Sequence, residues 1–181
     1  VLDRPGDHQE TYGFLERLSR QGMLTRLKTL RESIALQPGN LRARLELARL
    51  SIVSMDFDAA RAALAFTGDS PAVETARLYL VARTHADEDH PELALAVLHS
   101  IVLDDVADEE LRRNVVYLKG VCCEQIGQNA EAHALFLQLL SEFPYFKDTR
   151  ERVRRTYQKH LEAALGSRAE VLEKRTHLDM T

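Results

Sequence analysis

The residues of this chain best suited to chemistry are its 7 histidines and 28 carboxylates. Their densest cluster is His85, Asp87, Glu88, Asp89 and His90, the residue types of a metal site or a general acid–base pair. Two ligands on one helix face stand three or four residues apart. His85 and His90 are five apart, which turns them roughly 140° from one another on a helix. The favoured reading is a structural histidine followed by a solvated acidic turn, with Pro91 opening the next helix and the acids suiting its dipole. The paired carboxylates Asp104-Asp105 and Glu109-Glu110 fall in a connecting segment and read as solvated surface. Cys122 and Cys123 are adjacent, so on a helix they point roughly 100° apart, poor disulfide geometry. With no second cysteine cluster, they read as a reduced, buried pair and favour a reducing compartment. There is no phosphate loop, nucleophile elbow, H-E-x-x-H or calcium-binding loop. The expectation is a protein that is not an enzyme, with no catalytic residues, no metal and no cofactor.

The elements that carry these residues are predicted to be helices. The chain of 181 residues is 45% hydrophobic and 29% charged, normal for a globular domain. Glycine (8) and proline (5) are few, so long regular elements are favoured. Alanine, leucine, arginine and glutamate dominate, and no stretch alternates in period two. The formal net charge is −4 with both signs mixed along the chain, and the densest basic run, Arg150, Arg152, Arg154 and Arg155, is broken by Glu151. Nucleic acid is therefore not expected as a partner. The apolar runs fall far short of the roughly 20 residues that cross a bilayer, so no direct membrane insertion is expected.

Arg113 to Pro144 carries two amphipathic helices joined by Gly127-Gln128-Asn129. Val116, Gly120 and Cys123 share a face of the first; Ala132, Phe136 and Leu139 share a face of the second. Gly120 and Ala132 are the small residues that let the two approach. Leu41 to Pro71 reads the same way, with Leu47-Ala48, a turn at Asp56-Phe57-Asp58-Ala59-Ala60, and Leu64. Thr75 to Val106 is a third copy, with Leu78, Val81-Ala82, His85, Ala94, Leu98 and Ile101. Ala60 and Ala94 are 34 residues apart and Ala94 and Ala132 are 38 apart. Four extra residues are placed in the acidic stretch from Asp104 to Glu110.

These units resemble tetratricopeptide repeats, whose 34-residue pattern runs from a large residue through L-G and an aromatic to alanine, an aromatic and proline. Val116, Lys119-Gly120, Cys123, Ala132, Phe136 and Pro144 occupy those places. Val116 stands for the large aromatic, Lys119 for leucine and Cys123 for tyrosine. The resemblance implies an all-α fold, a right-handed superhelical stack of antiparallel helix pairs (an α-solenoid) ending in a capping helix. A single domain over residues 1–181 is expected. Its parts are a degenerate first unit at about 7–38, repeats at 41–71, 75–106 and 113–144, a capping helix at 147–165 and a tail at 167–181. The capping helix carries Phe146, Val153, Tyr157 and Leu161 and is expected to stop at Gly166.

In such a stack the first helix of each unit lines the concave face. Arg42, Leu45 and Arg49, then Ala76, Tyr79 and Arg83, then Asn114, Tyr117 and Val121 fall in equivalent places, and Arg155 shares the arginine slot. This predicts a groove with an apolar–aromatic row beside arginines, a surface type common at interface hot spots. In the competing reading each arginine pairs with a neighbouring acid such as Glu46 or Asp87, and Tyr79 and Tyr117 pack between helices. The expected function is a protein–protein scaffold or adaptor for complex assembly, whose partner is a protein or peptide, an acidic and apolar segment. The alternatives are a homo-oligomerisation module and a docking domain of a larger enzymatic or membrane-anchored protein, the latter left open by a chain that opens on Val1. A cytoplasmic location is expected, with the soluble part of a membrane-anchored protein as its alternative.

Overall fold

Asn40, Asp56 and Asp108 each stand immediately before a helix, and each side chain accepts a hydrogen bond from a backbone N–H of the first turn. The computed structural model describes the backbone of residues 5–178 and the side chains of residues 19–163, 165 and 166. Among the described residues there are eight α-helices and no strand. They are α1 (Pro5–Leu36), α2 (Leu41–Val53), α3 (Phe57–Leu64), α4 (Pro71–Asp87), α5 (Pro91–His99), α6 (Glu109–Gln125), α7 (Asn129–Glu142) and α8 (Thr149–Leu178). A short 3₁₀ turn, Leu103–Asp105, lies between α5 and α6.

One local geometry recurs three times. Met55, Asp89 and Gly127 all take the left-handed backbone conformation, with φ of 59°, 62° and 83°. The next residue in each case donates its N–H to a carbonyl five residues back: Asp56 to Ser51, His90 to His85 and Gln128 to Cys123. A helix then starts one residue later, at Phe57, Pro91 and Asn129. This is a left-handed helix cap that ends one helix just before the next begins. The small residues of the sequence pattern lie around these turns. Ala48, Ala60, Ala82, Ala94 and Ala132 have no exposed surface, and Gly120 is buried. A Cβ on Gly120 would lie 2.8 Å from Phe136 Cε1, so α6 and α7 meet at a distance that only glycine permits.

The chain divides into two compact units, Val1–Thr84 and His85–Thr181, with the boundary inside α4. In the first, α1 packs on α2 and α2 on α3. Its core holds Leu27, Leu30, Leu47, Ile52, Leu64 and Leu80 among others. Arg44 ties α2 to the end of α3 through Ala63 O at 3.2 Å, and its guanidinium lies 5.3 Å over the Phe66 ring. In the second unit α5 packs on α6, α6 on α7 and α7 on α8, around Val115, Leu118, Cys122, Cys123, Phe136 and Leu139.

Several helix boundaries differ from the expectation. Pro71, read as closing the unit at 41–71, opens α4, and Glu109-Glu110, read as part of a connecting segment, form the first turn of α6. The segment at 7–38 was read as two helices; it is one, α1. The capping helix runs through Gly166 to Leu178. An interior glycine weakens a helix by about 1 kcal/mol without ending it. The last residues of the expected tail, 179–181, lie outside the described residues.

Candidate functional site

In the first unit, α2 and α4 present the residues singled out by the repeat phase. Arg42 and Arg49 are exposed, and neither makes an ion pair with the described residues. Arg42 borders an open depression of about 340 Å³, together with Arg26, Thr29, Ser33, Asn40 and Glu46. Glu46 is engaged by α1: Arg26 reaches both its oxygens, at 2.8 and 2.9 Å. Leu45 and Tyr79 are half-buried against the core of this unit, and Arg83 is half-buried. At the foot of α4, Glu74 binds the Arg77 guanidinium and accepts the Gly68 N–H at 2.7 Å. The bond from Arg77, opposed by burial and aided by Gly68, holds its carboxyl down at about 2.

In the second unit, Asn114, Tyr117 and Arg155 fall into one network between α6 and α8. The Tyr117 ring packs edge-on against Phe136 and Phe146, with centroids 5.9 and 5.8 Å away. Its hydroxyl donates to Asp148 and accepts from Arg152 Nε at 3.1 Å. Lys147 lies 4.3 Å over the same ring and donates to Asn114 Oδ1. Arg152 continues to Glu124 at 2.7 Å, and Arg155 grips the same carboxylate with Nε and a terminal nitrogen. Lys159 stands 3.6 Å away. The Glu124 side chain is only 7% exposed. Burial pushes its pKa up, but the hydrogen bonds and charges of Arg155 and Arg152 outweigh this, and the carboxyl titrates below its ordinary value. Burial, with the bond to Asp148, pushes the Tyr117 phenol up. Val121 is half-buried on the same helix.

This network groups four cations (Lys147, Arg152, Arg155 and Lys159) with two carboxylates. Sequence reasoning found Tyr117 and Arg155 but missed Glu124, Asp148 and Arg152. A signal was present. Glu124 follows Tyr117 by seven residues, two turns on the same face, and Arg152, Arg155 and Lys159 step by three and four. The pairing across helices has no such signal.

The cysteines are buried and free, and burial pushes both thiols up to about 11, so neither is a ready nucleophile. His85 is half-buried, and Asp89 and His90 form the exposed turn before α5. Among the described residues, no group of three or more His, Cys, Asp or Glu side chains is arranged to hold a metal ion. None of the described helices is long and apolar enough to cross a membrane. Comparison with protein-family models, curated proteins and solved structures finds no match to this chain.

Proposed function

We propose that this chain is a non-catalytic, tetratricopeptide-like scaffold of stacked antiparallel helix pairs that binds an acidic, partly apolar segment of a protein partner. The observation that carries the reading is the recurrence of one turn at Met55, Asp89 and Gly127, in phase with the small buried residues Ala48, Ala82 and Gly120 and Ala60, Ala94 and Ala132. Identical spacing of cap and close-contact residues supports repeated helix pairs, and such pairs bury their faces by stacking. Within each unit, stacking of such pairs leaves the first helices to line the exposed surface. On α2 and α4 that surface would offer Arg42, Arg49 and Arg83 beside Leu45 and Tyr79. On α6 and α8 it would offer Asn114, Val121, the rim of Tyr117 and the exposed part of Arg155.

Guanidinium groups one helix spacing apart can grip successive carboxylates or carbonyls of an extended segment. Contacts of that kind, partly open to solvent, weaken as salt rises. The test is affinity capture of partners from the source organism, followed by titration of the captured segment against Arg49→Ala, Arg83→Ala and the double variant. Each loss is expected to cost roughly 1–3 kcal/mol of binding, and the exposed Arg49→Ala should leave folding stability nearly unchanged. Parent-like binding by the double variant, with the same salt dependence, would remove the groove assignment.

A further inference from the structure

The outer side of α8 carries a feature that peptide binding on α2 and α4 does not use. Thr149 and Thr156 have almost no exposed surface and mark the face of α8 turned inward. At roughly 100° per residue, Tyr157, Arg150, Leu161, Arg154 and Leu165 follow one another within an arc of roughly 80°, beginning about 100° from Thr156. Tyr157, Leu161 and Leu165 are 50%, 41% and 67% exposed, and one side of the Tyr157 ring packs against His133 of α7 with centroids 5.4 Å apart. Arg150 and Arg154 are exposed and have no ion pair among the described residues. The acids of this part of the helix, Glu151 and Glu162, border the arc roughly 40° and 60° beyond Leu165, and neither forms an ion pair with Arg150 or Arg154 among the described residues.

The same unit carries the complementary surface. Asp104, Asp105, Asp108, Glu109 and Glu110 are all exposed, and none makes an ion pair with the described residues. Val102 beside them is 60% exposed. This acidic segment leads directly into α6. Arg152 is the side chain with which α8 meets Tyr117 and Glu124 of α6. Every member of the α8 arc lies roughly 140° or more around the helix from Arg152. The arc therefore turns away from α6, and its arginines form no ion pair with the acids of that helix among the described residues.

We infer that the outer face of α8 is a self-association surface, and that it receives the acidic segment Val102–Glu110 of a second copy of this chain. Arg150 and Arg154, one turn apart, would pair with carboxylates, and Leu161 with the open side of the Tyr157 ring would cover the exposed valine. The two surfaces differ, so the contact is head-to-tail and can repeat. The patch is small beside the roughly 800 Å² per partner of a stable complex, so association is weak, concentration-dependent and sensitive to salt.

The test is sedimentation of the purified chain over a wide concentration range at low and high salt. The parent's average mass should rise above the monomer at low salt and fall back at high salt. Two charge reversals, Arg150→Glu with Arg154→Glu, and Asp104→Lys with Asp105→Lys, should each weaken association at least about tenfold. Mixed together they should associate again, because each restores the other's complement; Leu161→Ala should weaken association without touching a charge. All these positions are at the surface, and unchanged helicity and melting would certify the fold of each variant. A parent that stays monomeric throughout, variants that associate like the parent, or a mixture that stays monomeric would each overturn the proposal. So would a parent that binds only a foreign acidic partner on this face. None of these variants alters Arg49 or Arg83, so failure here leaves the peptide-binding reading standing, and the converse also holds.

Discussion

At the scale of single residues, Gly120 and Met55 make opposite predictions. Replacing Gly120 by alanine improves intrinsic helix propensity by about 1 kcal/mol. It also places a Cβ 2.8 Å from the ring of Phe136, which has no exposed surface. Overpacking of that kind costs roughly 1–3 kcal/mol, so Gly120→Ala should lower stability, and Phe136→Leu in the same chain should recover part of the loss. Chemical denaturation of the two singles and the double reads the coupling directly. Met55 sits at the left-handed cap that glycine fills at Gly127, and its side chain is 66% exposed. The left-handed conformation strains a residue with a Cβ by roughly 1–2 kcal/mol. Met55→Gly should therefore raise stability by about 1 kcal/mol, and an unchanged or lower denaturation midpoint would contradict this account of the turn.

At the scale of elements, the attachment of α8 is the most polar part of the described core. Three cations converge on one nearly buried carboxylate, Glu124. Neutralising it leaves Arg152, Arg155 and Lys159 facing each other without their shared partner. Glu124→Gln should cost about 2–3 kcal/mol and should raise hydrogen exchange in α8 first. Loss of exchange protection in α5 with α8 unchanged would show that the cluster does not hold α8. Helix α8 also shows how an element escapes a local stop signal. Gly166 is a natural place to end a helix, yet no positive φ occurs there and a Cβ would meet nothing within 4 Å. The left-handed cap was therefore an option that the chain did not take, and the glycine contributes only its ordinary helix penalty.

At the scale of the whole molecule, the perturbed groups bound a pH window. The carboxyls of Glu74, Glu124 and Asp148 all titrate below their ordinary values of 4.5, 4.5 and 3.8. A depressed carboxyl stabilises the fold above its unfolded pKa, and that contribution is lost as pH falls through the folded one. The Cys122 and Cys123 thiols are raised from 9.0 to about 11, so their contribution is complete below 9.0 and is lost as pH rises toward 11. Through these groups stability should fall as pH drops below about 4.5 and as it rises above about 9. Melting temperature against pH checks this. Glu74→Gln should melt lower than the parent at pH 7 and converge with it near pH 2, and a constant gap across that range would remove the Arg77–Glu74 pair from the account. Native thiols should also react slowly with a disulfide reagent at neutral pH and quickly once the chain is unfolded.

The residues that made the helices legible were local in their action. Apolar spacing, the caps Asn40, Asp56 and Asp108, and the small residues at 34- and 38-residue intervals each act within one turn or between two helices joined by a short turn. A linear reading therefore found the turns at Asp56, Asp89 and Gly127 and the close contact at Gly120, while it put Pro71 and Glu109-Glu110 outside the helices they open. Where the local signal was weak it misread the ends: α1 is one helix where a turn was expected, and α8 runs on past Gly166. Whether a glycine ends a helix depends on the surroundings of the next turn, which no local pattern encodes. The sequence also named Tyr117 and Arg155 without their partners. Glu124, Asp148, Arg152 and Phe136 reach them across helices, over separations of 19 to 35 residues. Such pairs are chosen by which faces meet, and the same arginine could have pointed at solvent. Composition and periodicity by themselves determined that the chain folds into helices and where their close-contact residues lie. Only the tertiary structure decided that Glu46 serves Arg26, that Tyr117 and Arg155 are tied to α8 and Glu124, and that Arg150, Arg154 and the acids of 104–110 have no ion-pair partner among the described residues, because burial and charge pairing follow from helix packing rather than from spacing along the chain.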